Sequence, residues 1–292
     1  MFSRRHPILF FVLIFSAITG GTIVAISLIT MAISSNSHFD SLIGPDGGNV
    51  GIVEVTGLIG ESKRIIEDIK HFRENDSIKA IVLRIDSPGG SVGHSQEIFR
   101  EIQKTSKKKK VVASMGSVAA SGGYYIAAGT NSIVANPGTI TGSIGVIMSY
   151  TNIEELLGKI GLASSVIKSG KYKDMGSPIR KMTKDEEEML GKLSNEIHTQ
   201  FINDICQGRS MDLAKVKKIA DGRILTGQTA MAVGLVDQLG NLEDAVELAG
   251  QLGGVEGKIS GVYAPPKKPS LMYYLFDSSI EAFINKLFLK IY

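Results

Sequence analysis

The sequence predicts an α/β protein, a mostly parallel sheet with crossover helices behind an N-terminal transmembrane helix. Three observations predict it. Short apolar runs alternate with stretches of helical period from Val50 onward, the pattern of βαβ units. Two of those runs, Lys79–Ile85 and Val111–Met115, end in Gly-rich turns, as strands do where a parallel sheet carries its active site. From Pro7 to Phe39 there is no Asp, Glu, Lys or Arg.

The apolar core of that N-terminal stretch, Ile8 to Ile33, is 26 residues long. As a helix it covers ~39 Å, against a bilayer core of ~30 Å. Arg4, Arg5 and His6 precede it, which keeps the N-terminus in the cytoplasm and exports the bulk. Ala32-Ile33-Ser34 has the form of a cleavage site, but secretory apolar regions run only about 7–15 residues, so an uncleaved anchor is expected. This places the folded domain on the extracytoplasmic side of the membrane. Residues 1–34 form the cytoplasmic N-terminus and anchor, and 35–49 a polar, Gly-rich tether. Residues 50–252 form the folded domain, and 253–292 a C-terminal strand or linker and a helix.

Within the domain, Val50–Val55 reads as a first strand and Glu61–Arg73 as a helix, with Ile65, Ile66, Ile69 and Phe72 on one face. Strands over Lys79–Ile85 and Val111–Met115 flank a helix over Val92–Gln103. Further strands are expected over Ser132–Ala135, Ser143–Met148 and Ser164–Lys168, with a short helix over Ile153–Ile160. Thr183-Lys-Asp-Glu186 has capping-box form and opens a long helix toward Gln207. Short helices follow over Leu213–Ile219, Gln228–Val233 and Asn241–Leu252. Pro265, Pro266 and Pro269 break the chain before an amphipathic helix over Leu271–Tyr292.

Composition excludes several functions. A net charge of +3, scattered along the chain, argues against nucleic acid as a partner. The run Lys107–Lys110 reads as a solvated loop. A single cysteine, Cys206, forbids an internal disulfide, and the five histidines are scattered without metal-ligand spacing. No metal or other cofactor is expected.

The chemistry is expected at Met115–Tyr124 (MGSVAASGGY). A serine among small residues at a strand-to-helix turn stands clear of the backbone, and the helix N-terminus behind it offers free N–H groups to an oxyanion. Ser121 is the candidate nucleophile. A serine needs a base, yet His94 and His198 come with no evident acid partner in the sequence. A lysine serves instead where an apolar, carboxylate-poor site lets it shed its proton. Lys168, Lys171 and Lys173 are available, around a Gly-containing turn expected at a strand end.

Four motifs in order carry a resemblance: Asp86–Gly90 (DSPGG), Met115–Tyr125 (MGSVAASGGYY), Asn136–Val146 (NPGTITGSIGV) and Gly170–Asp174 (GKYKD). Over roughly residues 50–250 the chain resembles the short form of the bacterial signal peptide peptidase A family. The resemblance implies a Clp-protease/crotonase-like fold and a membrane-anchored serine endopeptidase with a Ser-Lys dyad that cleaves hydrophobic peptides such as residual signal peptides. Position by position, it makes Ser121 the nucleophile, Lys173 the general base and Ser143 the residue that orients the lysine. It assigns the oxyanion hole to backbone N–H groups of Gly89 or Gly90 and of Gly122. It implies a homo-oligomeric ring, in which one chain is expected to supply both serine and lysine. Asp86 stands where a neutral residue is expected, and its carboxylate should point away from the lysine. Acyl-CoA chemistry on a crotonase-like sheet and a non-enzymatic membrane scaffold are the rival readings.

Overall fold

The structure, a computed structural model, describes residues 8, 15, 16, 19–22, 24 and 48–264. Contacts divide the chain into two units, 1–48 and 49–292. Most of the expected span over 8–33, and the whole of the C-terminal helix over 271–292, lie outside the described residues. Those described within the span are helical. Among the described residues no helix is long and apolar enough to cross a membrane.

The second unit is an α/β domain. Strand β1 (Val50–Ile59) leads through α1 (Lys63–Glu74) to β2 (Ala80–Gly90), then through α2 (Val92–Thr105) to β3 (Lys110–Ala120). Helix α3 (Gly122–Ala128) follows, then β4 (Ser132–Ala135), β5 (Ile140–Gly142) and α4 (Glu154–Lys159). The long helix α5 (Lys184–Arg209) precedes α6 (Leu213–Ile219), β6 (Ile224–Thr226) and α7 (Gly227–Ala232). Strand β7 (Gln238–Leu239), α8 (Leu242–Leu252) and β8 (Gly261–Tyr263) complete it. The strands form one eight-stranded sheet in the order β6-β5-β3-β2-β1-β8, with β4 paired to β3 and β7 to β4. The β5–β6 pair is antiparallel and the others are parallel.

Period-two alternation sends the strand residues to two cores. Val53, Val55, Ile81, Leu83, Ile85, Val111, Ala113 and Met115 face the larger one, with α1, α2, α3 and α5. Val50, Ile52, Ala80, Val82 and Val112 face the smaller, closed by Ala245, Val246 and Ala249 of α8.

The sheet bends at one level. Register shifts fall between Thr56 and Leu58 in β1 and between Ile85 and Ser87 beside β2. Along β3 the partner changes from β4, at 112–115, to β5, at 118–120. Of the Gly-rich stretches 86–90 and 115–123, expected as turns, 86–90 and 115–120 are therefore strand beyond this bend, and only Ser121 turns before α3 begins. Asp86 explains part of it, because its Oδ1 accepts from the Val118 N–H at 3.1 Å where the ladder is broken. Its carboxylate is thus engaged within the sheet.

Two expected strands are absent. Residues 143–153 are irregular, because Gly142 and Ser143 both take positive φ, 77° and 51°, and turn the chain off the sheet. Residues 164–168 have no strand partner, and Ile167 is fully exposed. The lysine run also differs from expectation at one position. Lys109 donates to Phe72 O and Asn75 O at 2.8 and 2.5 Å, closing the C-terminus of α1.

Helix α5 opens with the expected capping box of Thr183 and Glu186. Its apolar stripe is buried only in its second half, at Phe201, Ile202 and Ile205, while Met189 and Leu193 are exposed. Phe201 stacks on Tyr125 of α3 with ring centroids 4.3 Å apart, and Tyr125 Oη donates to Asp204. The helix that follows Ser121 is therefore seated on α5. Truncating the stack with Phe201→Ala should cost about 3–5 kcal/mol, read as a lower midpoint of urea unfolding.

Candidate active site

Ser121 is the first residue beyond β3 and the N-cap of α3, with φ 52° and ψ −117°. That conformation costs a non-glycine residue about 1–3 kcal/mol, so the surroundings must hold it. Its N–H donates to Gly142 O at 2.9 Å, and its carbonyl accepts from Tyr125 N–H at 2.9 Å. The bend is that of a sharp strand-to-helix turn, which leaves the serine side chain outside the helix.

The first bond also sets Ser143 beside Ser121. Ala120 pairs with Gly142 across β3–β5, so the two serines leave neighbouring strands at the same level. Thr139 and Thr141, both buried, fasten β5 there by donating to Gly116 O and Ala119 O at 2.7 and 2.6 Å. Ser143 N–H donates to Arg223 O at 2.8 Å.

The end of β2 closes the other side. A Cβ at Gly89 would lie 2.7 Å from Gly122 N and 2.9 Å from Ser121 Cβ, and Gly89 has φ 107°. A Cβ at Gly122 would lie 2.5 Å from Ser95 Oγ and 3.2 Å from Gly90 N. Glycine is required at both positions. The Gly89 N–H donates to Ser87 Oγ at 3.1 Å. Ser91 N–H donates to Ile59 O at 2.9 Å. Gly90 N lies beside the start of α3, since a Cβ on Gly122 would come within 3.2 Å of it. The first-turn N–H groups of α3, Gly122 included, have no acceptor inside the helix.

Lys173 lies in a succession of turns over 170–176 and is exposed. Among the described residues no hydrogen bond joins it to Ser121 or Ser143. Its loop does not follow a strand, as was expected, but is held at the start of α5. The other two lysines are committed to carboxylates, Lys168 to Asp174 at 2.5 Å and Lys171 to Asp185 at 2.9 Å. The hydrogen bond it donates to Asp185 pushes the Lys171 ammonium well above the usual lysine value. Among the described residues Lys173 has no ion-pair partner.

His94 does have an acid neighbour, contrary to the sequence reading. Its Nδ1 lies 3.6 Å from Glu97 Oε2. That carboxylate also accepts from Ser62 Oγ, a bond that, with His94, holds it below the usual range. Among the described residues no hydrogen bond links the pair to Ser121. His198 Nε2 is buried without a hydrogen-bond partner among the described residues. What sequence reasoning missed is Arg180, which bonds both Asp174 and Glu186. The capping-box motif located Glu186, but no periodicity ties it to residues six and twelve positions earlier.

A serine at a strained strand-to-helix turn, with glycine backbone crowded around it on a parallel sheet, defines a serine-type peptidase of Clp-like fold. The comparisons agree: the chain belongs to peptidase family S49, whose model matches residues 103–256, while the Clp protease model matches residues 53–141. The chain is similar to a Synechocystis protein named as a candidate protease, with 48% identity over 206 residues, 70% of this chain and 74% of that one. It is also similar to a candidate signal peptide peptidase SppA of Enterococcus faecium, with 40% identity over 186 residues, 63% of this chain and 54% of that one. Among solved structures, the membrane-bound stomatin-specific protease 1510-N superposes with a TM-score of 0.52 at 18% identity, covering 75% of this chain and 99% of that one. At that identity the shared feature is the fold.

Two outcomes follow. Gly89→Ala should lower the melting temperature as well as cut peptidase turnover by about 100-fold or more, since a Cβ there has no room against Gly122 N and Ser121 Cβ and must displace the turn that carries the serine. Glu186 is held down to about 2 from 4.5, chiefly by its bond from Arg180 and then by Thr183 N–H. A depressed carboxylate stabilises above its free value, so this contribution is complete above pH 4.5 and disappears as pH falls toward 2. The melting temperature of wild type should exceed that of Glu186→Gln above pH 5, and the two should converge in acid.

Proposed function

We propose that this chain is a membrane-anchored serine endopeptidase that hydrolyses hydrophobic peptides, residual signal peptides among them, through a Ser-Lys dyad. The observation that carries the reading is the Ser121 turn, where glycine N–H groups crowd the candidate nucleophile. Ser121 is the nucleophile and Lys173 the general base. Lys168 and Lys171 are paired with carboxylates, whereas Lys173 has no ion-pair partner among the described residues and is the one of the three left to act. Ser143 orients the lysine by hydrogen bonding. The Gly90 and Gly122 N–H groups form the oxyanion hole, since the Gly89 N–H is occupied by Ser87.

In the reaction, neutral Lys173 removes the Ser121 proton as Oγ attacks the scissile carbonyl carbon. The carbonyl oxygen takes the negative charge and is held by the two N–H groups, each worth about 2.7–4 kcal/mol at such sites. Lys173 then gives its proton to the leaving amine as the C–N bond breaks. Water, deprotonated in the same way, attacks the acyl-enzyme and frees Ser121.

The apolar N-terminal stretch anchors the enzyme in the inner membrane, with the domain on the extracytoplasmic side, where peptides remaining in the bilayer can be met. A homo-oligomer completes the site. Ile147 is 91%, Ile167 100%, Ile160 61% and Leu162 59% exposed, all in the stretch 143–183 between β5 and α5 that also holds Lys173. Apolar surface of this kind is covered by a partner. The exposed lysine, unbonded to the serine of its own chain, favours a dyad formed with a neighbouring subunit rather than within one chain, as the sequence had led us to expect.

Cleavage of a hydrophobic signal peptide by the detergent-solubilised full chain tests both parts. Ser121→Ala and Lys173→Ala should each lower turnover by about 10³-fold or more. Co-assembly of the two inactive variants should restore roughly a quarter of wild-type activity if the dyad spans subunits. Full activity in either variant alone would refute the mechanism, and a silent mixture would return the dyad to one chain.

A further inference from the structure

We infer that Arg180 is a positioning residue that clamps the Lys173 loop to the start of α5 and holds the Asp174 carboxylate away from the Lys173 amine. The inference rests on the reading of Lys173 as the base.

The guanidinium makes six hydrogen bonds. Nε and Nη2 donate to Asp174 Oδ2 and Oδ1 at 2.8 and 2.9 Å, and Nη2 to Asp174 O at 3.1 Å. Nη1 and Nη2 donate to Glu186 Oε2 and Oε1 at 2.9 and 2.6 Å, and Nη1 to Lys181 O at 3.0 Å. This is not an ordinary exposed ion pair: the side chains of Arg180, Asp174 and Glu186 are 26%, 13% and 3% exposed. A planar fork is needed to grip two carboxylates at once, which a lysine at this position could not do. Glu186 is itself fixed, accepting from Thr183 N–H at 2.9 Å in the capping box. The clamp therefore passes from the rigid start of α5 directly to the residue after Lys173.

The arrangement also controls charge. Adjacent Cα atoms are about 3.8 Å apart, so an unclaimed Asp174 carboxylate could reach the Lys173 amine and hold its proton. Arg180 engages both carboxylate oxygens, and Lys168 shares one of them. The neighbouring carboxylates are otherwise committed. Asp185 pairs with Lys171, and Glu154 of α4 accepts from Lys181 N–H at 3.1 Å. Loss of Arg180 would loosen both Asp174 and Glu186, but Glu186 keeps its bond from Thr183 N–H, and of the two Asp174 is the one adjacent to Lys173.

The test is the pH dependence of Ser121 labelling by a fluorophosphonate, with the full-length assembly in detergent. The wild-type rate should rise with pH as the base loses its proton. Arg180→Met should move the midpoint of that rise upward by about one unit, and Asp174→Asn should move it downward. The double variant should return it close to wild type. Both single changes break the same clamp, so a purely structural role would move the midpoint in one direction or lower the rate without moving it, and either result would overturn the inference. Should Arg180→Met fail to fold, as judged by melting, Asp174→Asn decides alone: a lowered midpoint supports the clamp and an unmoved one refutes it. A Lys173→Ala variant that labels like wild type would instead overturn the assignment of the base.

Discussion

The close approach of the end of β2 to the start of α3 is the constraint on which the site depends. Space for a Cβ is missing at Gly89, against Gly122 N and Ser121 Cβ, and at Gly122, against Ser95 Oγ of α2 and Gly90 N. This contact explains why the three long strands bend together, since the bend swings the ends of β2 and β3 into register with β5. It explains the strain accepted at Ser121, which turns sharply so that α3 can begin beside Gly90. It also requires Asp86 to bind the Val118 N–H, because the ladder is broken where the strands change direction.

Helix α5 links this centre to the loop that carries Lys173. Its second half is buried against α3 through Phe201 and Tyr125, and its first turn holds the lysine-bearing loop through Glu186 and Arg180. Glu186 and Phe201 are fifteen residues apart, about 22 Å along the axis. The lysine loop is thus carried on a rod that projects beyond the core, with exposed Met189 and Leu193 on the projecting half. A rigid rod fixes where the loop can be presented, which suits a site completed by assembly.

Much of this was legible in the sequence where local rules apply. Apolar runs and helical spacing located β1 to β4 and α1, α2, α6 and α8 to within a few residues, because burial and period are recorded in the residues themselves. The Thr183–Glu186 cap was readable for the same reason. The errors fall where tertiary context wins. Glycine-rich 86–90 and 115–120 look like turns but continue as strand, since neighbouring backbone approaches from both sides. Residues 143–148 and 164–168 have strand-like composition but no edge to pair with. The motifs located Ser121, Ser143 and the glycines beside them. They did not reveal Arg180, because its partners are brought together by a turn and a helix cap rather than by sequence spacing, nor that Gly89 differs from Gly90, which depends on strand register.

The most direct test of the account is a structure of the full-length assembly phosphonylated by a peptidyl phosphonate. The account predicts a bond from phosphorus to Ser121 Oγ, a phosphoryl oxygen about 2.7–3.1 Å from the Gly90 and Gly122 N–H groups, and a Lys173 amine beside Oγ. Modification at another residue, or a phosphoryl oxygen turned to solvent away from both glycines, would contradict it.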